Sequence, residues 1–203
     1  MLDGNNVTLT QNSDTSDLNI GGNINASGDI TLENTGSTDT VIQDTSEITG
    51  GNITVDNSQG TGVIQTTENT VLEGTNVTLK QNSDTDLTFS GTINADGDVL
   101  LENLGNSNTV IGDTSEITGG NITVDNSQGT GVIQTTENTV LEGTNVTLKQ
   151  NSDTDLTFSG TINADGDVLL ENLGNSNTVI GDTSEITGGN ITVDNSQGTG
   201  VIQ

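Results

Sequence analysis

The chain contains no cysteine, proline, histidine, tryptophan, tyrosine or arginine, and its only aromatic residues are Phe89 and Phe158. Without cysteine or histidine it cannot form disulfides or the usual zinc sites. It also lacks any apolar run of about 18 residues, so the sequence predicts no transmembrane helix. These absences remove most of the residue types that carry catalysis and metal chemistry.

What the sequence has instead is repetition. Residues 66–134 and 135–203 are the same 69 residues written twice. Each copy divides into three units of 23 residues, and an extra residue, Ser16, puts the first unit one position out of step. A fixed period of this kind predicts a stacked, quasi-one-dimensional architecture. The units begin at Gly4, Gly28, Gly51, Gly74, Gly97, Gly120, Gly143, Gly166 and Gly189.

Each unit has the pattern of three short strands joined by turns. Apolar and polar residues alternate after the glycine, as in residues 52–57, which is the period of a half-buried strand. Two shorter apolar runs follow, separated by turn-forming Asn, Ser, Asp and Gly. We therefore expect residues 1–203 to form one all-β parallel solenoid of nine coils, the last of them cut short, stacked at about 4.8 Å.

Two details of this solenoid follow from the spacing. The units beginning at Gly74 and Gly143 carry one additional residue before their apolar pair, which predicts a bulge at that corner. Terminal repeats of a solenoid normally carry atypical, polar capping sequence. The first and last units of this chain show no such sequence. We accordingly expect a slice of a longer repetitive chain, or ends that stack on copies of the same chain.

Two aliphatic columns distinguish this chain from a disordered one, which its polar composition would otherwise suggest. In every unit, the first strand carries two aliphatic residues that lie two positions apart. The apolar residues are therefore placed regularly rather than scattered. The first column is Val7, Ile30, Ile53, Val77, Val99, Ile122, Val146, Val168 and Ile191. The second is Leu9, Leu32, Val55, Leu79, Leu101, Val124, Leu148, Leu170 and Val193.

The formal charge of −27 argues against nucleic acid or an anionic membrane surface as a partner. The only basic residues, Lys80 and Lys149, fall in the outward column beside the core, where each would lie between two acids. We interpret this column as a structural charge ladder that reduces repulsion between coils. It reads Thr10, Glu33, Asp56, Lys80, Glu102, Asp125, Lys149, Glu171 and Asp194.

An acidic corner is the one candidate for a cofactor, a Ca²⁺ ion. Carboxylate oxygens beside a glycine suit this ion. The alternative is an ordinary turn, because Asp-Gly is common corner chemistry and the spacing of a full calcium loop is absent. The candidate ligands are Asp96, Asp98 and Glu73, repeated as Asp165, Asp167 and Glu142.

Asparagine recurs in two further patterns. One set, six positions after the glycine, predicts an internal corner ladder whose amides pair between coils: Asn34, Asn57, Asn103, Asn126, Asn172 and Asn195. The other set forms Asn-X-Ser/Thr tripeptides that could accept glycans at a cell surface, although the same tripeptides also begin strands: Asn6, Asn25, Asn52, Asn76, Asn121, Asn145 and Asn190.

An enzyme is not expected. Two carboxylates can perform acid–base chemistry only in a cleft, which a uniform rod does not offer, and the chain lacks the aromatic and basic residues that hold sugars. Ice binding would need paired threonine rows on every coil, and Thr8 and Thr10 do not recur in that way. A module that binds carbohydrate or cations through a repeated surface remains the alternative to a purely structural role.

The unit style resembles a known family. Glycine followed by Asn-Ile-Thr-Val at Asn52–Val55, or by Asp-Val-Leu-Leu-Glu-Asn at Asp98–Asn103, is similar to the shafts of filamentous-haemagglutinin-like, two-partner-secreted adhesins and giant bacterial surface proteins. The resemblance spans nearly the whole chain but includes no secretion domain or adhesive tip. It implies an extracellular β-helical stalk or fibre whose partners are adjoining repeats or copies of itself. The 69-residue identity departs from those shafts, whose repeats diverge more.

Overall fold

The computed structural model describes residues 1–203 as an all-β parallel solenoid of about eight turns, roughly 23 residues apart. This confirms the expected fold class. The structure has nine strands on one face, but the path after the last of them ends in a single isolated bridge between Thr178 and Ile202. The ninth coil of the prediction is therefore incomplete. No helix of sufficient length and apolar character to cross a membrane is present.

The first face carries the aliphatic columns. All its neighbouring strands pair in parallel, because each coil places the same segment above its predecessor. The strands are β2 (Val7–Gln11), β5 (Ile30–Asn34), β8 (Asn52–Asn57), β11 (Asn76–Gln81), β14 (Val99–Asn103), β16 (Glu116–Asn126), β18 (Val140–Gln150), β21 (Asp167–Asn172) and β24 (Asn190–Asp194).

The second face is a separate sheet of eight short strands. They are β3 (Leu18–Ile20), β6 (Thr40–Ile42), β9 (Ile64–Thr66), β12 (Leu87–Phe89), β15 (Thr109–Ile111), β17 (Ile133–Gln134), β19 (Leu156–Phe158) and β22 (Thr178–Ile180).

The third face joins the first, because β16 and β18 run through the corner between them and link both faces into one sheet of 16 strands. Besides the first parts of β16 and β18, it contains β1 (Leu2–Gly4), β4 (Ile24–Ala26), β7 (Glu47–Thr49), β10 (Val71–Gly74), β13 (Thr92–Ala95), β20 (Thr161–Ala164) and β23 (Glu185–Thr187).

The two aliphatic columns are confirmed residue by residue. Val77 pairs with both Ile53 and Val99, and the same register continues along the face. The members of both columns from Ile30 to Leu170 belong to one core cluster of 32 buried residues that also contains Phe89 and Phe158, and Val7, Leu9 and Val193 pack against it. Burying an aliphatic side chain of this size contributes about 1.5–3 kcal/mol, so the columns supply much of the stability of each turn.

The predicted bulge is wrong, because the unit glycines are not equivalent positions. Gly143 pairs with Gly119 rather than Gly120, and Asn145 continues the same ladder without interruption. The additional residue lies in the third unit type. There Ala95 stands opposite Gly74 and Val99 stands opposite Val77, leaving one more residue at the Asp96–Asp98 corner. On the first face, equivalent residues are consequently 24, 22 and 23 positions apart in successive turns.

The extra residue of the first unit falls where the sequence predicted it. Gln11 pairs with Asn34 and Leu18 pairs with Thr40, as Gln81 and Leu87 do with Asn103 and Thr109. The segment between Gln11 and Leu18 is one residue longer than its counterpart, and the turn that contains Ser16 absorbs the difference.

Backbones approach closely in the turn between the first and second faces. A Cβ atom at Gly131 would lie 1.6 Å from the carbonyl oxygen of Ser107 in the preceding turn, and Gly62 has the same relation to Thr38. No side chain fits at such a distance, so glycine is required there. Gly22 lies in the turn between the second and third faces, and a Cβ atom added to it would meet no atom within 4 Å.

Candidate functional site

The charge ladder is formed as predicted, with Lys80 opposite both Asp56 and Glu102. The lysine forms an ion pair with only one of these two acids. Its Nζ lies 2.7 Å from Glu102 Oε2, whereas the Asp56 carboxylate accepts a 2.7 Å hydrogen bond from the backbone N–H of Ser58. The identical arrangement recurs with Lys149 and Glu171 at 2.9 Å. Each lysine therefore bonds to the following turn.

The hydrogen bond to Glu102 raises the pKa of Lys80 above its ordinary value of 10.5. Partial burial opposes this shift, and the charges of Glu102 and Asp56 add to it. The pKa of Lys149 is raised for the same reasons. Each lysine side chain is about one third exposed, so the ion pairs fall in the range of about 0–1 kcal/mol typical of surface pairs.

The acidic corner does not bring its three predicted Ca²⁺ ligands together. Glu73 and Asp96 line one open groove of about 310 Å³, whereas the Asp98 carboxylate accepts a 2.7 Å hydrogen bond from Asn121 Nδ2. No group of three acidic residues in the structure is placed to hold a metal ion. The second copy is arranged alike: Glu142 and Asp165 line a groove of the same volume, and Asp167 accepts from Asn190.

A surface amide ladder runs beside this corner, and sequence reasoning missed it. Asn76 Nδ2 donates to Asn52 Oδ1 at 2.7 Å, and Asn52 Nδ2 donates to Asp29 Oδ1 at 2.8 Å. Further bonds of the same kind link the later turns. The signal was available, because the residue before the first aliphatic column is always Asn or Asp. The ladder comprises Asn6, Asp29, Asn52, Asn76, Asp98, Asn121, Asn145, Asp167 and Asn190.

The surface amide ladder contains most of the predicted glycan acceptors. An N-linked glycan attaches to Nδ2, and in Asn52, Asn76 and Asn121 this atom already donates to the preceding turn. Asn145 and Asn190 do the same. These asparagines therefore already serve as hydrogen-bonding groups of the surface amide ladder.

The internal corner ladder is buried as predicted, but its amides do not pair as predicted. Asn103 Nδ2 donates to the carbonyls of Ser107 and Asn108 at 2.9 and 3.1 Å, and its Oδ1 accepts from the N–H of Gly105. In this ladder the one amide-to-amide contact joins Asn172 to Gln150, at 3.5 Å. The amides instead satisfy turn backbone that water cannot reach.

Glutamine occupies the same column in the second unit type, which sequence reasoning did not include. Gln81 pairs with both Asn57 and Asn103. Its Oε1 accepts a 2.9 Å hydrogen bond from the N–H of Ile64 in the preceding turn, and its Nε2 donates to Thr85. Gln81 thus bonds one turn to the next as well as holding its own turn, as Asn57 does by accepting a 2.7 Å hydrogen bond from the hydroxyl of Thr40.

No protein-family model, curated protein or solved structure matches the chain. Its description as a parallel β-solenoid rests on its own strand register and hydrogen bonds.

Proposed function

We propose that the chain is a structural shaft, a stiff and acidic spacer segment of an extracellular, adhesin-like surface protein. The observation that carries this proposal is the continuity of the ladders. The first and third faces keep their parallel register over nine strands each, and the charge ladder and surface amide ladder follow the same axis. The adjoining partners of such a segment are further repeats or copies of the same chain.

The bonding pattern supports stiffness. Bending a solenoid must stretch hydrogen bonds on one side while compressing packed side chains on the other, and here three sheet faces surround one buried core. Close-packed protein interiors have low compressibility. The turn-to-turn bonds of Gln81 and Lys80 add side-chain links along the axis.

The net negative charge favours rods that stay separate from parallel neighbours. A net charge of −27 is spread along roughly 38 Å, at about 4.8 Å for each of about eight turns. Such a surface repels parallel neighbours and keeps rods apart. Because every strand within the stack is paired on both sides, unpaired β-edges occur only at the two end turns.

The test is a height measurement on a cell surface. Chains with zero, one, two or four additional 69-residue blocks are displayed between a membrane anchor and a fluorescent reporter, and the reporter height is measured by fluorescence interference. Each block contributes three turns, so height should rise linearly by about 14 Å per block. The matched control is a Gly/Ser linker of the same residue number, whose height rises with about the square root of length. Square-root growth in the solenoid series would exclude a shaft.

A second candidate, a repeated binding surface for carbohydrate or cations, is favoured by the two grooves. They are lined by the same residue types 69 positions apart, with threonine, asparagine and carboxylate groups that suit hydroxyls or cations. Titration calorimetry with CaCl₂ and with soluble oligosaccharides tests it. Two equivalent sites that disappear in the Glu73→Gln, Glu142→Gln double variant are expected. No heat, or heat unchanged in the double variant, rejects this candidate.

A further inference from the structure

One interface between turns occurs twice inside the stack, and its two copies are identical. It is the seam where residues 66–89 stack on residues 44–65, repeated where residues 135–158 stack on residues 113–134. The 69-residue identity extends back to Asp44, so both sides of the seam have the same sequence in each copy. The register is the same as well: Val77 pairs with Ile53, and Val146 pairs with Ile122. Residues 135–158 therefore fit residues 44–65 as well as they fit residues 113–134.

The side-chain bonds across the seam are equally interchangeable. Asn76 Nδ2 donates to Asn52 Oδ1 at 2.7 Å, and the copy of this bond 69 positions later measures 2.8 Å. The N–H of Ile64 donates to Gln81 Oε1 at 2.9 Å, and its copy measures 3.0 Å. No side chain that bonds across the seam thus distinguishes one copy from the other.

The order of unit types disfavours any shorter shift along the stack. Stacking the next unit type on residues 44–65 would place Glu102 opposite Asp56, and stacking the one after it would place Asp125 there. Both shifts put like charges side by side where the native seam puts Lys80. Both also replace the glutamine that accepts from the N–H of Ile64 with an asparagine. A shift of three turns is the first that restores every pair.

We propose that the solenoid has a second folded arrangement, three turns shorter, in which residues 135–158 stack directly on residues 44–65. The block of 69 residues between them, residues 66–134, leaves the stack as a loop. The chain can leave the stack at the exposed turn of Glu68 and Asn69, because the identity continues through that turn. Every interface of the shorter arrangement already exists in the native stack. A shaft built in this way stays continuous when one block has unfolded.

Folding provides a route to the shorter arrangement. A repeat array can nucleate at any turn and propagate, because each turn contacts only its neighbours. When residues 44–65 and 135–158 fold before the block between them, both sides of the seam are present with native side chains. The entropic cost of closing a loop rises only slowly with loop length, so a long unfolded block opposes this docking weakly. Misassembly between like units is a characteristic failure of repeat proteins.

Two engineered cysteines detect the shorter arrangement, since the chain has none of its own. Thr54 and Thr147 are half-exposed in an outward column of the first face, where Leu100 and Leu169 show that other side chains are accommodated. In the native stack they lie four turns apart, about 19 Å. In the shorter arrangement their Cα atoms would be about 4.8 Å apart, within the range a disulfide spans. The Thr54→Cys, Thr147→Cys chain, refolded from denaturant at low concentration in a glutathione buffer, should form this disulfide within one chain.

Two control pairs give the yield its meaning. Thr123→Cys, Thr147→Cys places cysteines at native neighbours and should cross-link in the native stack. Thr54→Cys, Thr123→Cys places them three turns apart, about 14 Å, and Thr123 lies in the loop of the shorter arrangement. Random collision favours this second pair over Thr54 and Thr147, because it is closer in sequence. A higher yield for Thr54 with Thr147 supports the shorter arrangement; an equal or lower yield, or disulfides only between chains, overturns it.

Trypsin provides an independent readout on the cross-linked chain. Lys80 lies in the loop whenever residues 54 and 147 are joined, whereas Lys149 stays in its strand. Cleavage after Lys80 should therefore be faster than cleavage after Lys149, and equal protection of the two lysines would also overturn the proposal. Cross-linking and proteolysis report on the fold alone. Their failure is thus distinguishable from failure of the proposed shaft, which the display heights measure.

Discussion

One of the closest backbone approaches in the solenoid gives the sharpest stability prediction. In Gly131→Ala the new Cβ would lie 1.6 Å from the Ser107 carbonyl oxygen and 2.3 Å from its carbon. Neither neighbour is a flexible side chain, so the two turns must separate by roughly 1.5 Å to restore ordinary contact. A separation of that size exceeds what the intervening hydrogen bonds tolerate.

The cost follows from the bonds at that position. The N–H of Thr109 donates to the Val132 carbonyl at 2.9 Å, and the N–H of Val132 donates to Asn108 Oδ1 at 3.0 Å. Losing two or three such bonds at about 1 kcal/mol each, with overpacking strain of about 1–3 kcal/mol, gives roughly 3–6 kcal/mol. Gly22→Ala is the matched control, because it meets no atom and should be neutral or slightly stabilising.

Hydrogen exchange read by mass spectrometry is the appropriate assay, since a repeat array need not unfold in one step. Each turn contacts only its neighbours, so the opening free energy should fall in peptides around Gly131 and remain unchanged in the first two turns. If Gly131→Ala and Gly22→Ala agree within about 0.5 kcal/mol, the argument from backbone contact is refuted.

Two further predictions concern the polar ladders. Asn103→Ala should lower the local opening free energy by about 2–4 kcal/mol, because it leaves the Gly105 N–H without a partner and removes the bonds to the carbonyls of Ser107 and Asn108, which keep only their other donors. Asn94→Ala, on an exposed position, should change it by less than about 0.5 kcal/mol, and hydrogen exchange compares the two. The Lys80→Met, Lys149→Met double variant should be slightly less stable than the parent below pH 10.5. Because both lysine pKa values are raised by folding, that difference should vanish as pH rises through them, and chemical denaturation across pH 8–12 measures it; a constant difference contradicts the ion-pair explanation.

The core columns could be predicted because the alternation of apolar and polar side chains can be read directly from the sequence. Alternation after the corner fixes which residues face inward, and Val77 and Leu79 pair as expected. The corner itself could not be predicted in the same way. Gly74 and Gly51 look equivalent in the sequence, yet a glycine carries no side chain to mark its position relative to the core. Counting back from Val77 rather than from the glycine locates the additional residue correctly.

The polar ladders show a different limit. Burial of Asn103 follows from its regular position, but its hydrogen-bond partners depend on side-chain torsions and on the path of the turn. The backbone of a tight turn offers carbonyls nearer than the amide of the next coil. The sequence pattern predicts a metal ligand at Asp98 and a glycan acceptor at Asn121, whereas the structure bonds them to each other. Neighbours across turns become visible only once the register is known.

The placement of lysine and phenylalanine has a consequence for digestion. A trypsin-like protease finds only two bonds to cut, after Lys80 and Lys149, and both lie inside strands whose lysines are held in ion pairs. The only aromatic residues, Phe89 and Phe158, are fully buried. Proteolysis requires a segment to leave the fold, so cleavage at these bonds must wait for local opening of interior turns. Cleavage at these four residues is therefore expected to be limited by the opening free energy of the interior turns, in a chain that has no disulfide.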